Sequence, residues 1–319
     1  MASSAQQIPV SPADRPTVGD RIFRVMCVAA AFISLVIVVA TFVFMIRESR
    51  PAFRASGIKG FFTNTVWNAS TGTFGVKGVL LGTIIIALIA MTVAVPFALA
   101  MALFINEYAP PRVARLLTSA VDLLAALPSL IFGMWGFFAF KDHLIRVARW
   151  MSTHLVAFPF LRLSEPSARL VGSSFIAGVV VGIMVLPIIC SISREVMARV
   201  PRDLCEGALA LGGTRWGMIK SVVLPFGRSG IFGGVLLGFG RALGETIAVA
   251  LLIGTVVYKA NFHILEQGAG SVAALIAIRF GEATPLERSG LVAAGLSLLI
   301  LTFSVSLLAR RIVGRKAMP

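Results

Sequence analysis

EGALALGGTRWGMIKSVVLPFGRSGIFGGVLLGFGRALGE, residues 206–245, is the stretch around which the chain is built. Its first half is polar and interrupted by glycine; its second half is apolar, striped with glycine, and carries one arginine and one glutamate. Pro201 suits the first position of a helix, and Asp203 and Glu206 in the same first turn complement the helix dipole. Gly212-Gly213 ends that helix, because a left-handed C-cap favours glycine. Thr214 can cap a second helix that runs to Leu224 before Pro225 stops it. Residues 201–225 therefore read as two short helices at an angle, a shape that fits contact with a soluble partner.

The apolar half reads as a spanning helix over 228–257. On a wheel advancing about 100° per residue, Gly230, Gly234, Gly238, Arg241 and Glu245 fall within about 80° of one another. Glycines at every fourth position let a second helix approach closely in lipid, so this face turns toward protein. An ionised arginine near mid-span costs about 2.5–3.5 kcal/mol by insertion scales, and something must offset it. One reading is that Glu245 pairs with Arg241 to stabilise packing. The other is that both line a water-filled path in which the guanidinium fork meets an oxyanion and Glu245 holds Arg241 while the path is empty.

Composition extends this inference to the whole chain. The 319 residues are 57% hydrophobic and 13% charged, with a mean hydropathy of +0.92, too apolar to keep their surface in water. Runs over 25–46, 79–105, 123–140, 170–193 and 291–309 reach or approach the roughly 20 residues a spanning helix needs. With the glycine-striped run they make six spans, at about 22–46, 76–105, 116–140, 170–193, 228–257 and 289–309, and an all-α integral membrane protein. The formal charge of +15 lies between the spans and not on a polar domain, which argues for a membrane protein over nucleic-acid binding. The three cysteines, Cys27, Cys190 and Cys205, and the three histidines have no paired or metal-like spacing, so neither disulfides nor a metal site is expected.

Between the spans, residues 1–21 form a polar, proline-containing tail expected to be disordered. Residues 47–75 are an exposed connection with Trp67 among several Phe, Asn and Thr residues. The third span carries Asp122 near its start and Pro128 at its middle. Residues 141–169 include a short amphipathic helix suited to the membrane surface, and 311–319 form a second tail. Six spans place both termini on one side. Lysine and arginine are too evenly divided between the two faces to orient the chain by count. The four cations Arg310, Arg311, Arg315 and Lys316 directly after the last span favour termini inside.

The spacing within 206–225 narrows the family. Glu206 opens it, Ala208 follows two on, Gly212 six on, and Val222-Val223-Leu224-Pro225 closes it. This resembles the EAA loop of ABC-transporter permeases, with Gly207 where alanine is usual and Val222 where isoleucine is usual. Gly240-Arg241-Ala242-Leu243-Gly244-Glu245-Thr246 resembles the corresponding stretch of phosphate-transport permeases. Leu123-Leu124-Ala125-Ala126-Leu127-Pro128-Ser129, Gly133-Met134-Trp135-Gly136 and Glu107-Tyr108-Ala109-Pro110 look like the PstC-type branch of that family. The resemblance covers roughly residues 75–310 and implies a type I ABC importer permease fold with its core over 76–310. It further implies Glu206, Gly207, Ala208, Gly212, Leu224 and Pro225 as the ATPase-coupling loop, and Arg241 and Glu245 as the anion path. The implied partners are a PstA-type permease, two PstB-type ATPase subunits, a PstS-type binding protein and inorganic phosphate.

No Gly-x-x-x-x-Gly-Lys-Ser/Thr stretch is present to cradle a nucleotide. The chain is therefore expected to bind no cofactor and to be non-catalytic, with ATP and magnesium held by a separate ATPase subunit. Sulfate or molybdate remains an alternative cargo, since one arginine does not choose among oxyanions. An ion-coupled secondary transporter or channel would also use a mid-span Arg-Glu pair but needs no coupling loop. A lipid-modifying enzyme lacks a cluster of His, Asp or Ser at one depth.

Overall fold

A computed structural model describes residues 18–165, 167–254, 262–268 and 270–316, with the side chains of residue 310 and of 312–316 outside that description. The chain divides into two compact units, Met1–Glu48 and Ser49–Pro319. Expectations for residues 1–17, for 317–319 and for the stretch 255–261 lie outside the described residues.

Five helices are long and apolar enough to cross a membrane, or six when one sharply bent pair counts as a span. The first, α1 (Val18–Ser56), carries its apolar side chains exposed from Ile22 to Ile46. It runs ten residues beyond the expected end at 46, because the cations Arg47, Arg50 and Arg54 mark the end of an apolar run and not of a helix. The expected connection over 47–75 thus begins as helix. It continues as α2 (Ile58–Thr63) and a small antiparallel hairpin, β1 (Trp67–Asn68) and β2 (Thr73–Phe74), in which Trp67 lies opposite Phe74.

The second unit is organised around α7 (Ser174–Ala198), the most deeply buried of the long helices. Ser173 caps it, its hydroxyl accepting from the Ile176 amide at 3.3 Å. Against it lies α3 (Lys77–Leu103), whose buried row Ala90, Ala94, Ala98 and Ala102 repeats every fourth residue. Opposite this row α7 presents Gly178 and Gly182; a Cβ on Gly182 would sit 2.8 Å from the Ala90 carbonyl oxygen. Lipid tails are as apolar as leucine, so helices associate here by van der Waals packing, and small residues bring the backbones into reach.

The expected third span, 116–140, is not one helix. The helix α4 (Pro111–Ala126) stops at Leu127, and α5 (Ser129–Trp135) leaves at 96°. Pro128 causes the break: it lacks an N–H, and its ring drives the preceding residue out of the helical region, which places Leu127 at φ −67°, ψ 136°. After a π-helical turn, Gly136–Phe140, the chain runs directly into α6 (Lys141–His154). The amphipathic helix expected as a separate surface element is therefore the far end of the broken span, with Leu144 and Ala148 buried against the core and Val147 and Trp150 exposed.

Past α7 come α8 (Arg202–Ala210), α9 (Arg215–Met218), α10 (Leu224–Leu243), α11 (Ile247–Ile253), α12 (Val272–Arg279) and the closing helix α13 (Pro285–Lys316). The predicted stop at Pro225 does not occur. Helix α9 passes through the π-helical turn Ile219–Val223 into α10, and Pro225 sits in the first turn of α10. The wider turn accommodates the proline ring, which would clash with the carbonyl four residues earlier in a regular α-helix. A second core gathers Ala52, Phe61, Phe74, Val76, Val272, Leu275 and Leu291. At its edge the Trp67 indole donates to the buried Glu287 carboxylate at 3.2 Å, and the Ala52 amide donates to the Ser289 hydroxyl at 3.1 Å.

The α7 contacts predict a sharp difference between two adjacent glycines of α10. A Cβ on Gly234 meets Ile192 at 3.0 Å, whereas one on Gly233 meets nothing within 4 Å. Gly234→Val should lower the thermal stability of the detergent-solubilised protein, by an overpacking cost of about 1–3 kcal/mol. Gly233→Ala should leave it unchanged, and equal effects of the two substitutions in a melting assay would show that α10 does not pack on α7 through this row.

Candidate functional site

The site grows from a helix break. Over 228–257 the expected span is continuous; instead α10 ends at Leu243 and α11 begins at Ile247. Gly240 and Gly244 flank Arg241, and each glycine weakens a helix interior by about 1 kcal/mol relative to alanine. The polar side chains that follow then offer alternative partners. The Thr246 hydroxyl donates to the Gly244 carbonyl at 3.1 Å, and Glu245 Oε1 accepts from the Ala248 amide at 3.3 Å. Non-helical backbone at membrane depth persists where it is enclosed by protein or lines a water-filled cavity.

The break separates the two charged residues. Glu245, only 8% exposed, caps the start of α11, where the helix dipole favours a carboxylate. Arg241 is exposed in the last turn of α10, where the dipole favours a cation. Among the described residues no carboxylate oxygen lies within 4.0 Å of the Arg241 guanidinium, so the expected Arg241–Glu245 pair is not formed. The wheel that put both on one face assumed a helix that continues past Leu243.

The same correction explains the glycine face. A Cβ would meet Val196 at 2.5 Å from Gly230, Ile192 at 3.0 Å from Gly234 and Ile189 at 2.7 Å from Gly238, and Ala242 is buried after them. The row in contact with α7 is thus Gly230, Gly234, Gly238, Ala242. Arg241 lies beside the row and not within it.

The loop of 201–225 is built largely from its caps. Pro201 stands one position before α8, as its N-cap and not its first residue. Gly212 has φ +83°, a left-handed value that excludes most side chains, and a Cβ on Gly213 would lie 2.6 Å from the Ala208 carbonyl oxygen. Thr214 caps α9, its hydroxyl accepting from the Gly217 amide at 3.1 Å. Glu206 and Gly207 are exposed, and the space around Gly207 is open, so alanine would fit there equally well. Ala208 and Leu224 are half-buried against the main core, and Pro225 is exposed. Around the turn Leu204, Leu211 and Trp216 stand 51%, 92% and 58% exposed, an apolar group on an otherwise polar loop.

Long-range contacts tie the α3–α4 turn to this loop on one side and to α7 on the other. Asn106 Nδ2 donates to the Arg194 carbonyl at 2.8 Å, and Arg194 lies 3.8 Å from Asp122, which also accepts from the Ser191 hydroxyl at 3.2 Å. The Arg215 guanidinium stands 5.5 Å from the Tyr108 ring centroid, within cation–π range. Burial first, then the carboxylates of Glu107 and Glu206, push the Cys205 thiol above its ordinary range. Glu107 in the α3–α4 turn and the opening of the loop are therefore electrostatic neighbours. An aspartate near the start of the third span was the available signal for Asp122; nothing in the spacing joined Asn106 to α7 or Tyr108 to the loop.

Residues 94–317 match the family model described as binding-protein-dependent transport system inner membrane component. The chain belongs to this family. Named relatives include phosphate transport system permease protein PstC 2 of Mycobacterium tuberculosis, 37% identical over 303 residues, with 93% of both chains covered. PstC of Xylella fastidiosa is 40% identical over 292 residues, covering 91% of this chain and 89% of the relative. Among solved structures, a bacterial ABC transporter involved in import of the acidic polysaccharide alginate aligns at TM-score 0.61 and 15% identity, over 93% of this chain and 98% of its own. The inward-facing MetNI methionine ABC transporter aligns at TM-score 0.55 and 15% identity, over 75% and 95%. These two establish the type I importer permease fold. Membership of this permease family sets aside the secondary-transporter and lipid-enzyme readings and makes the chain a multi-pass membrane permease subunit of an ABC importer.

The electrostatic neighbours of Cys205 predict its reactivity. With Cys27→Ser and Cys190→Ser removing the other thiols, alkylation of Cys205 by iodoacetamide at pH 8 should be slower than that of a free thiol, because a raised pKa leaves less thiolate. Glu107→Gln removes one of the charges that raise it and should speed the reaction. An unchanged rate would place Glu107 away from the loop.

Proposed function

We propose that this permease subunit forms half of the translocation path of an ATP-driven importer of inorganic phosphate. Its mate is a second permease of PstA type, its motors are two ATPase subunits of PstB type, and its donor is an extracytoplasmic phosphate-binding protein of PstS type. The names and identities of the relatives support the substrate. The observation in the molecule that carries it is Arg241: a guanidinium with no carboxylate within 4.0 Å among the described residues, held at a helix break in an otherwise apolar span. An arginine fork offers paired N–H donors matched to the oxygens of phosphate.

ATP and magnesium are assigned to the ATPase subunits, and the chain itself takes no cofactor. Both termini and the loop of 201–225 face the cytoplasm, where the exposed Leu204, Leu211 and Trp216 dock into the ATPase. ATP binding closes the ATPase pair, the loop carries that motion into α10, and the path opens outward to the binding protein; hydrolysis returns it to the inward state. Arg241 meets the anion in passage. Glu245, engaged with the α11 amide, shapes the break and adds a negative charge that limits how tightly a dianion is held. Conduction requires weak binding, because a tight site would retain the ion.

ATP-dependent uptake of radiolabelled phosphate, with sulfate and molybdate as competitors, tests the reading in vesicles carrying the full complex. Arg241→Ala should reduce uptake at least tenfold while assembly and ATPase docking survive; unchanged uptake would make Arg241 a packing residue, and competition by sulfate at equal concentration would make sulfate the cargo. Glu206→Lys should leave the chain in the membrane but abolish ATP-driven uptake by weakening ATPase docking. Normal pull-down of the ATPase and normal uptake in that variant would remove Glu206 from the interface.

A further inference from the structure

The loop of 201–225 continues into α10, which makes one mechanical route from ATPase to substrate. The structure contains a second. The turn between α3 and α4, which includes the π-helical segment Phe104–Tyr108, touches the loop on one side and α7 on the other. Tyr108 faces Arg215 of α9 at 5.5 Å, and Asn106 holds the Arg194 carbonyl of α7 at 2.8 Å. From this turn α4 runs back into the bundle. In its second half Asp122 meets α7 through Arg194 and Ser191. At its far end the chain bends by 96° at Pro128 into α5. Helix α5 then packs on α11 so closely that a Cβ on Gly133 would lie 2.8 Å from the Ala248 Cα. Ala248 is the residue whose amide Glu245 caps.

We propose that α4 is a second lever of transport: Tyr108 couples it to the ATPase-facing loop, the contacts of Asn106 and Asp122 with α7 are its fulcrum, and Pro128 is the hinge through which it moves α5 against the α11 side of the Arg241–Glu245 break. The inference rests on the ABC-importer reading of the loop and not on which anion is carried.

The geometry gives each part a reason. A polar contact between helices inside a bilayer resists sliding better than apolar contact, because separation leaves polar groups without water. Asn106 and Asp122, both engaged with Arg194 of α7, therefore fix the pivot about which α4 turns. At Pro128 the missing amide removes the helical hydrogen bond that would stiffen the bend. Gly133 permits α5 to lie directly on the α11 backbone, so displacement of α5 is transmitted to Ala248 without a flexible side chain between. With α10 moving one lip of the break and α5 moving the other, the two helix ends at Arg241 and Glu245 change their separation. A single route through α10 would tend to carry the break as one piece.

The test uses the full complex of both permeases, ATPase and binding protein, with endogenous cysteines replaced. Spin labels at Ile131→Cys on α5 and at Leu237→Cys on α10 are each paired with one at Phe303→Cys on α13; all three positions are solvent- or lipid-exposed. Distance distributions are compared without nucleotide and with ATP trapped by vanadate. In the native background both pairs should shift. In Tyr108→Ala with Asn106→Leu, the α10 pair should still shift while the α5 pair loses its shift, and uptake should fall at least tenfold with ATPase docking retained. Tyr108→Phe keeps the ring that faces Arg215 and should restore the α5 shift when Asn106 is native.

A double variant in which both pairs shift as in the native complex overturns the lever, and so does one in which both fail because the ATPase no longer docks, since the turn would then be part of the docking surface. A native complex with no ATP-dependent shift at either pair overturns the importer reading itself, and the lever with it. Loss of phosphate specificity alone leaves the distance shifts in place, so failure of the substrate assignment is distinguishable from failure of the lever.

Discussion

The close approach of three helix backbones is the constraint on which the rest of the molecule depends. In a bilayer the hydrophobic effect drives helices out of water but does not choose between a lipid tail and a leucine as neighbour. Selection falls to contact distance. Helix α7 meets α3 across Gly178 and Gly182 and meets α10 across Gly230, Gly234 and Gly238, and in each case a single added carbon would lie at 3.1 Å or less from an atom of the opposing helix. The glycines do more than tolerate proximity: they fix which row of each helix faces inward, and therefore which residues cannot. Arg241 is exposed because the packed row passes through Ala242.

Once those rows are set, the irregular backbone has to go where the bundle can enclose it. Two breaks interrupt the spans, at Leu127–Pro128 and between Leu243 and Ile247. They are far apart in sequence but joined in space by α5 lying on α11. Each break solves its own hydrogen-bond problem. At Pro128 there is no amide to satisfy, and at the second break the side chains of Glu245 and Thr246 bond freed backbone groups. Isolated breaks at membrane depth leave polar groups facing hydrocarbon, whereas clustered breaks can share an enclosed polar region.

What could be read from the residues alone follows from the range of each interaction. Span number, the capped turn at Gly212 and Thr214, and the small-residue face of α10 are local patterns. They depend on composition, on φ at one residue and on a four-residue repeat. The continuity of the spans misled because hydropathy reports partition into lipid and is blind to hydrogen bonding. It passes through Pro128 and through Gly244 without a change of sign, and it ends α1 at Arg47 although the helix continues to Ser56. Pro225 misled in the opposite direction, because a π-helical turn can absorb a proline that a regular α-helix cannot. The contacts of Asn106 with Arg194 and of Tyr108 with Arg215 cross the sequence at long range, and no periodicity encodes them.

The separation of Arg241 from Glu245 changes what the charged span can do. A buried ion pair is a closed unit: an arriving anion would have to displace the carboxylate and would recover only part of the energy lost. Here each charge is instead assigned to a helix end, the guanidinium to the C-terminus of α10 and the carboxylate to the N-terminus of α11. Neither dipole neutralises its charge as completely as a counter-ion would. The guanidinium can then accept an oxyanion without first breaking a salt bridge. The carboxylate beyond it is engaged by the Ala248 amide and not by the guanidinium. In the path we propose, a single arginine with a negative charge beyond it would attract a passing anion without holding it tightly, which is the electrostatic requirement for a path as opposed to a receptor.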